Sequence, residues 1–112
     1  MEFSVSLKKK RDFQNVYKNG VSYANKYLVM YVTENQIKKN RLGISVSKKV
    51  GNSIVRHRLT RLIRESYRLQ EDKFKCGLDI VIIGRVSAKE RKYADIESAL
   101  IHLARLHEIY VG

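Results

Sequence analysis

Between Val55 and Arg68 the chain sorts its side chains by helical periodicity, and this pattern constrains the fold more than any other. At roughly 100° per residue, Val55, Leu59, Leu62, Ile63 and Ser66 fall within an arc of about 100°. His57, Arg61, Arg64 and Arg68 cluster within about 60° on the opposite side, with Arg56 and Arg58 flanking the stripe. The stripe demands a second packing layer. The far side demands water or a polyanion. His57/Arg61, Arg61/Arg64 and Arg64/Arg68 are basic neighbours at short helical spacing, and each such pair costs a few tenths of a kcal/mol. Glu65 is the one acid able to relieve them. Asn52 or Ser53 is expected to cap the helix, which runs to about Leu69.

Charge elsewhere in the chain sharpens the reading. The 112 residues carry a net charge of +12. Residues 38–68 hold ten basic side chains (Lys38, Lys39, Arg41, Lys48, Lys49, Arg56, Arg58, Arg61, Arg64, Arg68) against Glu65, a local +9. Residues 1–37 contribute +3, and residues 69–112 carry seven charges of each sign. A surface charged only for solubility intersperses both signs. Concentration in one segment favours a polyanion site. Arg dominates the helix, and its planar fork suits bidentate phosphate contacts. Lys48 and Lys49 precede the helix by one turn, where unsatisfied N–H groups and the positive dipole end also attract phosphate.

Other classes fall away. No segment approaches the roughly 20 apolar residues of a membrane span. Lys8-Lys9-Lys10-Arg11 is not followed by the apolar run of a signal peptide. The single cysteine, Cys76, excludes an intrachain disulfide and fits a reducing, cytoplasmic setting. There is no Walker loop, no G-x-S-x-G and no H-E-x-x-H. His102 and His107 lie five apart, unlike a zinc helix, and read as surface or packing residues. No catalytic residue is expected in the protein itself, and no small-molecule substrate.

The remaining pattern suggests one α/β (α+β) domain over residues 1–112, in the order α-β-β-α-β-α, with helices packed on a small mixed sheet. Ser4 or Ser6 is expected to cap a first helix reaching Lys18, stopped by Gly20. Val21 to Thr33 reads as strand in two pieces around Asn25, and Glu34 to Asn40 as a hairpin loop. Arg41 to Ser47 alternates Leu42, Ile44 and Val46 with Gly43, Ser45 and Ser47, a half-buried strand with one low face that another chain could approach. Leu78 to Arg85 reads as a strand buried on both faces, with Asp79 a candidate ion-pair partner. Ser87-Ala88-Lys89-Glu90 fits a capping box, although Tyr93 lies nearer the apolar stripe of the last helix.

Aromatic residues suggest a second site. Phe13 and Tyr17 share a helix face, and Tyr27, Val29 and Tyr31 share a strand face. A groove between them could stack unpaired bases.

The run Arg41-Leu-Gly-Ile-Ser-Val-Ser-Lys-Lys-Val-Gly-Asn-Ser-Ile-Val-Arg-His-Arg-Leu-Thr-Arg-Leu-Ile-Arg-Glu65 resembles the protein component of bacterial ribonuclease P. Asp12-Phe-Gln-Asn-Val-Tyr-Lys-Asn-Gly20 and Ile80 to Arg85 extend the resemblance over nearly the whole chain. It implies a fold with a left-handed β-α-β crossover around the arginine-rich helix. It implies a subunit that binds a catalytic RNA and assists cleavage of the 5′ leader from precursor tRNA, with divalent metal (Mg2+) held mainly by the RNA. Contacts with the RNA subunit would fall on Lys48, Lys49, Asn52, Arg56, His57, Arg58, Arg61, Arg64 and Arg68. The single-stranded leader would meet Phe13, Tyr17 and Tyr31. Two positions depart from the family: His57 stands where it has Asn, and Thr60 where it has Lys.

The charges alone also fit a non-enzymatic ribosomal or other RNA-binding module, because phosphate contacts carry no reaction. An anionic-membrane binder fits poorly, since the apolar stripe is needed for the core and lacks aromatic anchors other than Tyr67.

Overall fold

Leu78–Gly84, a compact apolar run, takes the middle of the sheet. The structure, a computed structural model, describes residues 1–112. In chain order its elements are β1 (Ser4–Ser6), α1 (Lys10–Asn19), β2 (Val21–Ala24), β3 (Leu28–Glu34), β4 (Asn40–Val46), α2 (Ser53–Gln70), β5 (Leu78–Gly84) and α3 (Tyr93–Leu106). The sheet order is β1-β4-β5-β3-β2. β4 is parallel to both β1 and β5, whereas β3 is antiparallel to both β5 and β2. This is the expected mixed sheet with helices on it.

Three local expectations change. Ser4 and Ser6 do not cap a helix; they form β1, an additional strand at the sheet edge, and α1 begins without a side-chain cap. Residues 34–40 do not close a hairpin, because β5 inserts between β3 and β4 and pairs with both. A strand apolar on both faces belongs at the centre, where each face can be covered. The capping box at Ser87 does not form: Val86–Ala88 is a 3-10 turn, and α3 starts at Tyr93 with the Asp95 carboxylate accepting from the Lys92 N–H at 3.2 Å. The division of 21–33 around Asn25 holds. Its Oδ1 accepts from the Tyr27 and Leu28 N–H groups at 3.2 and 3.0 Å and turns the chain from β2 into β3.

The sheet has two unequal faces. Leu28, Met30, Val32, Leu42, Ile80 and Ile82 join the large core beneath α2 and α3. On that side Leu59 packs so closely on Gly84 that a Cβ there would sit 2.7 Å from Leu59 Cδ2. The opposite face carries α1, with Leu7, Val16 and Val81 buried and Phe13, Tyr31 and Ile83 packed against them.

One ion pair fastens the layers near the start of β4. Asp79 is 2% exposed. It accepts from Arg41 Nε at 2.8 Å and Arg41 Nη2 at 2.6 Å, and from Asn35 Nδ2 at 2.9 Å. Asp12 of α1 lies 3.7 Å from Arg41 Nη1. Burial pushes the Asp79 carboxyl up, but the hydrogen bonds from Arg41 and Asn35 and the charge of Arg41 outweigh it and hold the group below its ordinary value. A depressed carboxyl contributes stability that is complete above its unfolded value of about 3.9 and is lost as pH falls through the folded value. Asp79→Asn should therefore cost about 1–3 kcal/mol at pH 7. That gap should close as urea denaturation is repeated at progressively lower pH below about 4. A gap independent of pH would contradict this account of the pair.

Candidate nucleic-acid interface

α2 owes its start to Asn52, whose Oδ1 accepts from the Val55 N–H at 3.0 Å. From there the helix turns Leu59, Ile63, Ser66 and Tyr67 inward. The buried side is shifted toward Tyr67, which is fully buried beyond one edge of the expected stripe, while Leu62 at the other edge is half-buried. The tyrosine reaches under β1, where its hydroxyl meets Ser4 Oγ at 2.7 Å and Asn40 Nδ2 at 3.4 Å. Sequence periodicity alone underrates such a residue, because its partners come from two distant strands.

His57, Arg61 and Arg64 are exposed on the outer side of α2, as expected. No carboxylate lies within ion-pair distance of any of them; the ion pairs of the chain involve only Arg41 and Arg68. Arg68 shares that outer side but forms a two-pronged bond with Glu65, whose carboxyl is held below its ordinary value by that hydrogen bond. Arg41, counted in the basic segment, points into the protein. The free charge thus narrows to the turn and the first two-thirds of the helix. Arg56 is half-buried at the flank, with its Nε buried and lacking an acceptor. Arg58 is exposed and donates through Nη2 to the Arg91 carbonyl at 2.9 Å. Lys48 and Lys49 are exposed in the turn that joins β4 to the N-terminus of α2. Exposed ammonium groups, guanidinium forks and helix-end N–H groups on neighbouring segments make this surface chemically fit for phosphate.

The other face of the sheet holds the aromatic group. Phe13 and Tyr17 of α1 stand 6.4 Å apart, centroid to centroid, and Tyr17 meets Tyr31 edge-on at 5.1 Å. The low face of β4 explains where Phe13 sits. A Cβ on Gly43 would lie 2.6 Å from Phe13 Cζ. The close approach anticipated for another chain is made by this ring. In register, Gly43, Val81 and Tyr31 form one row across the sheet, and Ser45, Ile83 and Val29 form the next. Ser45, Ile83 and Val29 are half-buried and floor the groove beside the aromatic rings. Alternation in β4 was the only sequence signal for this floor. Tyr27 leaves the row: it precedes β3 and packs against the large core.

Elsewhere the structure places no reactive cluster. His107 packs against Tyr23 and contacts the Met30 carbonyl at 2.9 Å through Nε2; burial holds its pKa down, partly offset by that bond. Cys76 is exposed and free. No three His, Cys, Asp or Glu side chains converge to hold a metal ion. No helix is long and apolar enough to cross a membrane.

Known proteins share this arrangement. The profile of the family described as Ribonuclease P matches residues 1–107. The ribonuclease P protein component of Lachnoclostridium phytofermentans is 64% identical over 106 residues, spanning 95% of this chain and 91% of that protein. That of Clostridioides difficile is 50% identical over 106 residues, spanning 94% and 93%. The Staphylococcus aureus RNase P protein superposes with a TM-score of 0.87 at 38% identity, covering 94% of this chain and 96% of that one. The Thermotoga maritima RNase P protein gives 0.83 at 30% identity, covering 90% and 96%. Agreement in sequence and in fold over nearly the full length has one meaning: the chain belongs to the family of ribonuclease P protein components.

Proposed function

We propose that this chain is the RNA-binding protein subunit of ribonuclease P and assists a catalytic RNA in removing the 5′ leader from precursor tRNA. The observation that carries the reading is the unpaired cationic side of α2, held outward by a fully buried inner side, in a protein of this family. In this reading Lys48, Lys49, Asn52, Arg56, His57, Arg58, Arg61, Arg64 and Arg68 face the RNA subunit. Arg61 and Arg64 contribute most per residue, because nothing in the protein competes for them. Arg68 must give up or share Glu65. His57 offers one ring N–H to an RNA oxygen and keeps the hydrogen-bonding role at that position.

Phe13, Tyr17 and Tyr31 would hold the single-stranded leader by stacking, at about 1–3 kcal/mol per base. Stacking is tolerant of sequence, which suits a leader that differs between precursors. The protein's part in the reaction is then to bind and orient the substrate on the RNA. Divalent metal in this reading belongs to the RNA; the protein's side chains do not assemble a site for it, and no step is assigned to a protein-bound ion.

Cleavage of a precursor tRNA by a bacterial ribonuclease P RNA tests the whole reading. Addition of this chain should raise the rate at low magnesium, where the RNA alone is slow. An unchanged rate across all magnesium concentrations would sink it. The two surfaces should also separate. Arg64→Ala should lower the salt slope of RNA-subunit binding by about 0.7–0.9 for each phosphate that the side chain neutralises. The preference for precursor over mature tRNA should stay intact. Phe13→Ala should do the reverse, weakening precursor binding about 5- to 150-fold, the equivalent of one stacked base. Circular dichroism distinguishes that result from unfolding, since Phe13 also covers Gly43.

A further inference from the structure

Residues 69–112 are neutral as a whole, yet the fold separates their charges. Several acids are engaged inside the protein. Glu71 accepts from the Glu2 and Phe3 N–H groups, Asp79 from Arg41, and Glu97 from the Tyr93 hydroxyl. The cations collect instead in the connection between β5 and α3, where Arg85, Lys89, Arg91 and Lys92 meet only Glu90 among residues 85–92.

Hydrogen bonds fix this connection against the turn between β2 and β3. The Arg85 N–H donates to the Tyr27 carbonyl at 3.0 Å, Arg85 Nη1 to the Asn25 carbonyl at 2.6 Å, and Ser87 Oγ to the Lys26 carbonyl. Lys26 thereby joins the cluster. The Tyr27 ring lies among the cations, with the Arg91 guanidinium 5.2 Å and the Lys26 ammonium 5.7 Å from its centre. Such contacts restrain flexible cations without neutralising them. Lys26, Lys89, Arg91 and Lys92 are all exposed, and none lies in an ion pair. Glu90 and Asp95 are the nearby acids in sequence, and Asp95 is engaged with the Lys92 N–H.

Location decides which partner the cluster faces. Arg58 of α2 donates to the Arg91 carbonyl, so the cluster adjoins the cationic side of α2. Tyr27 packs on the core beneath α2 and α3, away from the cluster of Leu7, Val16 and Val81 under the aromatic groove. We propose that Lys26, Lys89, Arg91 and Lys92, gathered around the Tyr27 ring, form a second phosphate-binding surface continuous with α2, which takes the backbone of the RNA subunit and not the leader. The proposal rests on the RNA-subunit role assigned to α2. It extends the interface around the side of the domain, from Lys48 and Lys49 through Arg58 to Lys92.

The test uses the full chain and a bacterial ribonuclease P RNA, with binding measured over a range of salt. The triple variant Lys89→Ala/Arg91→Ala/Lys92→Ala should lower the slope of log K against log salt by about two units, as roughly two to three phosphates keep their counterions. The precursor-to-mature tRNA preference of the assembled complex should stay at the parent value. All three substitutions lie outside strands and helices, and circular dichroism and Tm would verify the fold. Lys26→Ala, made on the parent, should lower the slope by about 0.7–0.9, the share of one phosphate. A triple variant with the parent's slope would overturn the proposal, as would a defect confined to precursor binding. If Arg64→Ala lowers the slope and the triple variant does not, only this second surface fails. If the parent shows no salt-dependent binding to the RNA, the role of α2 fails with it.

Discussion

The outer side of α2 depends on what its inner side buries. Leu59, Ile63 and Tyr67 are fully removed from water. Burial of three such side chains stabilises by roughly 5–9 kcal/mol. Two arginine neighbour pairs on the outer side, Arg61/Arg64 and Arg64/Arg68, cost together less than about 1 kcal/mol. Burial therefore wins by a wide margin, and the helix can hold a repulsive row of cations with Glu65, bound to Arg68, as its one counter-charge. Gly84 makes this seating close. It lets Leu59 rest directly on the central strand, where any side chain would collide with it.

The same pair of strands serves both surfaces. On one face β4 and β5 receive α2; on the other they carry Gly43, Ser45, Val81 and Ile83 beneath the aromatic side chains of α1. Gly43 is to Phe13 what Gly84 is to Leu59: an absent side chain that lets a neighbouring one lie flat on the sheet. In the proposed reading, the RNA-subunit surface and the leader groove thus occupy opposite layers of a small domain and can be altered one at a time. The turn through Lys48 and Lys49, which carries the chain from β4 to α2, links the two.

Much of this was legible in the sequence because it depends on local periodicity. The α2 stripe, the Asn52 cap, the alternation of β4 and the apolar run of β5 are each written in consecutive residues. What escaped depends on distant partners. β1 is only three residues long and exists because β4 offers it an edge. The loop between β3 and β4 looked like a hairpin because nothing local announces that β5 will come between them. The depth of Tyr67 depends on Ser4 and Asn40, which supply partners for its hydroxyl from two distant strands. Charge behaved likewise. The +9 of residues 38–68 is written in consecutive residues, but the inward turn of Arg41 depends on Asp79 from another strand. The place of Arg91 beside Arg58, and the engagement of Glu71, Asp79 and Glu97 elsewhere, likewise depend on partners distant in sequence or on the folded surface.

The central claim is that Arg61 and Arg64, which have no partner within the protein, meet RNA, whereas Arg105 of α3, outside the proposed surfaces, does not. Arginine-specific modification read out by mass spectrometry, with and without a bacterial ribonuclease P RNA, tests it most directly. Arg61 and Arg64 should lose reactivity when the RNA binds. Arg105, exposed over the Tyr110 ring on α3, should not change. Equal reactivity of Arg61 and Arg64 in the free and RNA-bound protein would contradict the account.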